Sequence, residues 1–232
     1  MNIISSAGPF RAVLLDLDGT LMDTIPDIAA AANAMRVELG LPSLQVDTIR
    51  TFVGKGTDNL ILRTLSHDLG EDAVHQDLFA RARASFYPRY HEVNGRHSVV
   101  YPGVREGLRQ LREHGLKLGI VTNKPTEFTL PLLRQAGFES DMQVVVCGDT
   151  LPTRKPLPDP MLHACRLLQV APAESVAIGD SVNDALSARA AGCAVLAVPY
   201  GYNEGHDVQD LDVDAIVSDI EEAAQWILAR MP

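Results

Sequence analysis

Cysteine is scarce in this chain of 232 residues, with three in all: Cys147, Cys165 and Cys193. Their wide spacing excludes a CxxC metal or redox motif, and an odd count makes a poor disulfide framework. They read as buried small apolar residues of a reducing compartment. The seven histidines form no HxH or HExxH pair, which removes the common zinc signatures. No apolar run approaches the ~20 residues needed to span a bilayer. Met1 to Arg11 shows no basic region followed by an apolar stretch, so no signal peptide is expected and the cytoplasm is the expected location. Internal repeats and low-complexity segments are missing as well.

Positive charge is also in short supply, with 20 Lys and Arg against 30 Asp and Glu and a net charge of -10. Nucleic acid and anionic membrane surfaces are bound through clustered cations, so neither is expected as a partner. Small anions remain open. A metal ion and one or two lysines hold a phosphate locally while the surface stays acidic, because screening separates near from far field over ~8–10 Å. The sequence leaves monomer and homodimer open.

Hydrophobic residues at 46% and charged residues at 22% suffice for a well-filled core. Ala12 to Leu15 is a short apolar run ended by Asp16 and followed by Gly19-Thr20, the pattern of a buried parallel strand with polar residues at its C-terminal end. Helical periodicity then covers Ile25 to Leu39, Asp58 to Leu69 and Ala73 to Phe86, with no strand between Thr24 and Gly95. From Tyr101 onward helices alternate with short apolar runs. Strands are predicted at Lys117 to Val121, Val144 to Cys147, Val176 to Ile178, Ala194 to Val198 and near Ile216-Val217. Alternation of this kind means βαβ units and a parallel sheet. The expected fold is α/β: a Rossmann-like parallel-sheet core of residues 1–23 and 96–232, with an α-helical cap domain, 24–95, inserted after the first strand.

Ligands of open α/β sheets bind beyond the carboxyl ends of the strands. Four segments meet there: Asp16-Leu17-Asp18-Gly19-Thr20, Thr122-Asn123-Lys124, Lys155-Pro156, and Gly179-Asp180-Ser181-Val182-Asn183-Asp184. Each residue type answers a need of phosphoryl transfer, in which catalysis is mostly positioning and electrostatics. Asp16 suits a carboxylate nucleophile. With Asp180 it offers hard oxygens to Mg²⁺, and the Asp18 carbonyl is a third candidate ligand. The Asp18 carboxyl is placed to protonate a leaving alkoxide and then to take a proton from water. Gly19 and Thr20 let backbone N–H groups face a phosphate, Thr122 and Asn123 donate hydrogen bonds, and Lys155 supplies a compact positive charge. Singly, each motif has an ordinary reading. Asp-x-Asp-Gly is a common turn, Lys-Pro is usually surface, and Asp180 and Asp184 would serve as a helix cap and its dipole partner. Together, on one sheet edge and in this order, they favour the site.

These four motifs resemble the haloacid dehalogenase superfamily, over essentially the whole chain. Phe52-Val53-Gly54-Lys55-Gly56 and Tyr200-Gly201-Tyr202-Asn203 are similar to its bacterial phosphoglycolate phosphatases. The resemblance implies an Mg²⁺-dependent phosphatase working through an aspartyl phosphate. Asp16 would be nucleophile, Asp18 acid/base, Thr122 and Lys155 phosphate binders, Asp180 a metal ligand, and Asp184 a residue orienting the metal site directly or through water. It also implies a small anionic phosphomonoester substrate, 2-phosphoglycolate ahead of pyrophosphate or amino-sugar phosphates. The Gly54-Lys55-Gly56 turn lacks the full P-loop pattern. It reads either as a plain helix–helix turn or as a place where Gly54 and Gly56 approach the substrate and Lys55 holds its anionic tail. Three rivals stand beside the phosphatase. A phospho-Asp receiver module needs neither Asp18 nor a cap, a dehalogenase needs no metal, and a sugar-phosphate mutase shares both core and cap.

Overall fold

A computed structural model describes residues 10–231; the segment in which no signal peptide is expected lies mostly outside the described residues. The chain runs β1 (Ala12–Leu15), β2 (Met22–Asp23), α1 (Ile25–Glu38), α2 (Val46–Arg50), α3 (Thr57–Leu69), α4 (Gln76–Val93) and β3 (Val99–Val100). It continues through α5 (Val104–Glu113), β4 (Lys117–Val121), α6 (Thr126–Ala136), β5 (Val144–Val146), α7 (Asp159–Leu168) and β6 (Ser175–Gly179). The last elements are α8 (Val182–Ala191), β7 (Ala194–Ala197), β8 (Ala215–Ile216) and α9 (Ile220–Leu228).

Six strands form one parallel sheet in the order β5-β4-β1-β6-β7-β8. Successive side chains of a strand point to opposite faces, and here both faces are covered. Val13 and Leu15 of β1 join one apolar cluster with Leu108 of α5, Leu132 of α6 and Ile227 of α9. Ala12 and Leu14 join another with Ala164 of α7 and Ala188 of α8. This double burial is why the core strands read as unbroken apolar runs.

Helices α1 to α4 lie between β1 and β3 and carry a cluster of their own, including Ile28, Met35, Ile61, Leu65, Phe86 and Tyr90. Phe128 of α6 and Tyr202 of the loop after β7 also join it, so this group of helices sits against the sheet layer. Helix α4 begins later and ends later than the periodicity suggests, because a 3₁₀ turn occupies Glu71–Ala73 and the helix continues through Pro88 to Val93. A proline costs an interior helix one N–H bond. Tyr90, packed at a tilt between Phe86 and Phe128 beyond that break, keeps the last turns docked. The five-residue α2 was not anticipated; only Ile49 of it is buried, too little for a visible period.

The two ends of the helical insertion meet. β2 pairs antiparallel with β3, and the carboxylate of Asp27, on α1, accepts from the N–H groups of Gly95 at 2.9 Å, His97 at 3.0 Å and Ser98 at 3.0 Å, and from the Ser98 hydroxyl at 2.6 Å.

Candidate active site

The register of the sheet assembles the site. Leu15 lies beside Ile120 on one side and Ile178 on the other, and the Asp16 N–H extends the ladder by donating to the Ile178 carbonyl at 3.0 Å. Asp16, Thr122 and Asp180 therefore leave three adjacent strands at the same edge.

Lys155 joins them from the loop before α7. Its ammonium, 3% exposed, donates to Asp16 Oδ1 at 2.7 Å and Asp184 Oδ1 at 2.5 Å. The second Asp184 oxygen accepts from the N–H and hydroxyl of Ser181 at 3.2 and 2.6 Å, closing the first turn of α8. Asp180 accepts from the Thr20 hydroxyl at 3.0 Å and the Tyr202 N–H at 2.6 Å. Space around it is tight. A Cβ on Gly19, whose φ is +88°, would lie 2.6 Å from Asp180 Oδ2, and one on Gly201 would lie 2.1 Å from its Cβ. Only glycine lets both loops close on this carboxylate.

Asp16, Asp180 and Asp184 bring ligand atoms within 4.8 Å of one another, a buried set able to hold a metal ion. Burial pushes the Asp16 carboxyl up to about 8; Lys155 opposes the rise, and Asp184 and Asp180 add to it. Burial likewise lifts Asp180 to about 7, with Asp184 adding and the Tyr202 N–H opposing. Burial works against the Lys155 ammonium, but Asp16 and Asp184 outweigh it and hold its proton more tightly than usual. Three carboxylates crowd around one ammonium, and the imbalance calls for a further cation.

The Asp18 carboxylate points elsewhere. It accepts from the Thr24 hydroxyl at 2.6 Å and from the ammonium of Lys124 at 2.9 and 3.2 Å, and its side chain is not part of the carboxylate cluster. Lys124 also donates to the Tyr90 hydroxyl. Thr122, Asn123, Lys124 and Lys155 line the cleft over this floor, together with Gly54 and Gly56 from the α2–α3 turn.

Several expected roles change. The Gly19 N–H donates to the Met22 carbonyl at 2.9 Å and the Thr20 N–H reaches the Leu17 carbonyl at 3.4 Å, so the turn uses the donors expected to face a phosphate. The Asn123 side chain is a brace. It donates to the carbonyls of Gly54 and Lys155 at 2.9 Å each and accepts from the Lys155 N–H at 3.1 Å. Lys55 does not line the cleft; its ammonium pairs with Glu204 at 2.9 Å, an acid it shares with Arg63. Tyr90 was not singled out from sequence, and Lys124 and Tyr202, although they lie in the quoted motifs, were given no role of their own. Lys124 was visible as the residue after Asn123, but its partners lie far away in the chain.

A sequence profile of the haloacid dehalogenase-like hydrolases matches residues 13–198. A phosphoglycolate phosphatase of Nitrosospira multiformis is 49% identical over 219 residues, covering 94% of this chain and 96% of that protein. The phosphoglycolate phosphatase of Thiobacillus denitrificans is 48% identical over 221 residues, with 94% and 96% covered. The solved structure of a predicted phosphoglycolate phosphatase from Haemophilus somnus superposes with a TM-score of 0.89 at 32% identity, across 94% of this chain and 97% of that one.

Proposed function

The chain belongs to the haloacid dehalogenase-like hydrolase family, and on that premise we propose that it hydrolyses 2-phosphoglycolate to glycolate and phosphate through a phosphorylated Asp16. The observation that carries this reading is the buried trio Asp16, Asp180 and Asp184 at the edge of the sheet, with Lys155 bridging Asp16 and Asp184.

Asp16 gives one carboxylate oxygen to Lys155 and keeps the other for attack on phosphorus. As its bond to phosphorus forms, the bond from phosphorus to the ester oxygen breaks, and Asp18 delivers a proton to the departing alkoxide. Asp18 then takes a proton from water, whose oxygen attacks phosphorus and releases orthophosphate and free Asp16. Thr122 accepts from the Lys124 N–H at 3.2 Å, which leaves its own hydroxyl hydrogen for a phosphate oxygen. Lys155 supplies the fixed positive charge. The all-oxygen donor set suits Mg²⁺, which Asp16, Asp180 and Asp184 would hold with the Asp18 carbonyl, and which when bound neutralises the charge between anionic nucleophile and anionic ester.

Helices α1–α4 serve in this reading as the cap, residues 24–95, whose separate apolar cluster supports its standing as a unit. The three cysteines are buried and free, in keeping with work in the cytoplasm. The test is multiple-turnover phosphate release from 2-phosphoglycolate. Chelation should abolish it and Mg²⁺ restore it, whereas turnover that survives thorough chelation would sink the metal-assisted mechanism.

A further inference from the structure

The substrate proposed above carries a carboxylate at its far end, and the residue expected to hold it, Lys55, is occupied by Glu204 outside the cleft. Among the described residues, two cations line the cleft, Lys155 and Lys124. Lys155 is committed to Asp16 and Asp184. The cap contributes mainly apolar walls, among them Ile28, Val53, Leu60 and Phe86. An anionic tail has one place to go.

A lysine ammonium has three donors and a tyrosine hydroxyl one. Lys124 directs N–H groups to the two Asp18 oxygens, at 2.9 and 3.2 Å, and to the Tyr90 oxygen, and the longer Asp18 contact is the one a ligand oxygen can take over. Tyr90 spends its oxygen on Lys124, and its own hydrogen meets no acceptor among the described residues. Both residues are buried, at 5% and 2% exposure, and both line the cleft. The Tyr90 ring is fixed by Phe128, with centroids 4.6 Å apart, and by Phe86 at 5.3 Å. An unspent hydroxyl donor and an ammonium with one long, exchangeable contact thus stand side by side, next to the apolar wall of the cap. A buried donor without an acceptor is costly, and a carboxylate brings one oxygen for the Tyr90 hydroxyl and a second for the Lys124 ammonium.

We propose that Lys124 and Tyr90 form a carboxylate clamp that grips the end of the substrate remote from its phosphate. The inference rests on the phosphatase reading and narrows its substrate class to short phosphoesters ending in a carboxylate. Reach agrees with this. The carboxylate carbon of 2-phosphoglycolate is two bonds from the ester oxygen served by Asp18, and Lys124 touches Asp18 at 2.9 Å. An ester with a longer acid arm would overshoot. Tyr90 belongs to α4 and Lys124 to the sheet layer, so the tail would be held across the seam between the two.

The experiment compares kcat/KM for 2-phosphoglycolate and for ethyl phosphate, in which a methyl group stands where the carboxylate was. The parent protein should favour 2-phosphoglycolate by at least about tenfold, and Tyr90→Phe should cut that preference by roughly 10- to 100-fold, mainly through KM, the scale of a hydrogen bond to a charged group. Lys124→Gln, which keeps a donor for Asp18 without the charge, should cut it at least as far and serves as second reporter should Tyr90→Phe melt early. Equal loss on both esters, or an unmoved preference in both variants, overturns the clamp while leaving the phosphatase intact. A parent without preference overturns the clamp and the substrate together, and a parent that releases phosphate from neither ester removes the reading beneath them.

Discussion

Replacing Asp16 by Asn should abolish turnover and yet make the metal-free protein more stable. Burial raises the Asp16 carboxyl from its ordinary 3.8 to about 8 in the folded protein. The folded state therefore keeps a proton that the unfolded chain gives up. Stability owed to that proton is fully present below about pH 4 and is lost as pH rises toward 8. Each unit of separation is worth about 1.4 kcal/mol, so four units set a ceiling of ~5–6 kcal/mol. Asp16 and Asp180 crowd one another and share Lys155 as a counter-charge, and such coupling leaves roughly 2–3 kcal/mol as the working expectation. Asn has the shape of the protonated acid and no proton to lose. In EDTA the variant should match the parent near pH 4.5 and outlast it at pH 8, by ~4–12 °C in melting temperature at ~2–4 °C per kcal/mol for a chain of this size. Mg²⁺ should narrow the gap, because the parent gains more from binding it. Thermal melts at several pH values with and without Mg²⁺ give the answer. A variant that melts no higher than the parent at pH 8, or whose offset is the same at both pH values, would refute the idea that the carboxylate cluster is strained without its metal.

Gly201→Ala should raise the Mg²⁺ concentration needed for half-maximal activity by roughly 10- to 100-fold, since the new Cβ, 2.1 Å from Asp180 Cβ, drives that carboxylate off its Thr20 and Tyr202 donors. An unchanged metal requirement would mean that Asp180 is no ligand. Lys55→Ala should alter KM for 2-phosphoglycolate less than about threefold, because a half-exposed pair with Glu204 contributes at most ~1 kcal/mol. A tenfold rise in KM would return Lys55 to the substrate.

The sheet was legible because a strand buried on both faces leaves a plain mark, an apolar run closed by a polar residue. Val13 and Leu15 face one layer and Ala12 and Leu14 the other, and the run ends on Asp16. For the same reason the ends of β1, β4 and β6 could be searched for chemistry, and Asp16, Thr122 and Asp180 do gather at one edge. Partner choice was not legible. Two lysines followed strand or turn signals, Lys55 and Lys124, and nothing in their neighbours says that one pairs with Glu204, 149 positions on, and the other with Asp18, 106 positions back. Backbone donors misled in a similar way. The glycine of a tight turn suggests free N–H groups, but Gly19 and Thr20 spend theirs on closing the turn. The last turns of α4, beyond the expected end at Phe86, escaped because Pro88 looks like a stop, and only the ring of Tyr90 between two other aromatic rings shows why the helix goes on.

The two-stranded ribbon β2–β3 and the grip of Asp27 on the returning backbone make the whole of α1–α4 a detour that leaves and rejoins the sheet layer at one spot. No strand of the six changes register if that detour is lengthened, shortened or exchanged, because the ribbon closes before β4 begins. On the proposed reading, the bond-breaking residues and most of the cleft wall above them are therefore separate in the chain, with Lys124 the part of the clamp that stays with the sheet. Asp16, Lys155, Asp180 and Asp184 all lie outside the detour, while Gly54, Phe86 and Tyr90 lie within it. On that reading, the detour can change its share of the grip on a substrate while Asp16, Lys155, Asp180 and Asp184 stay as they are.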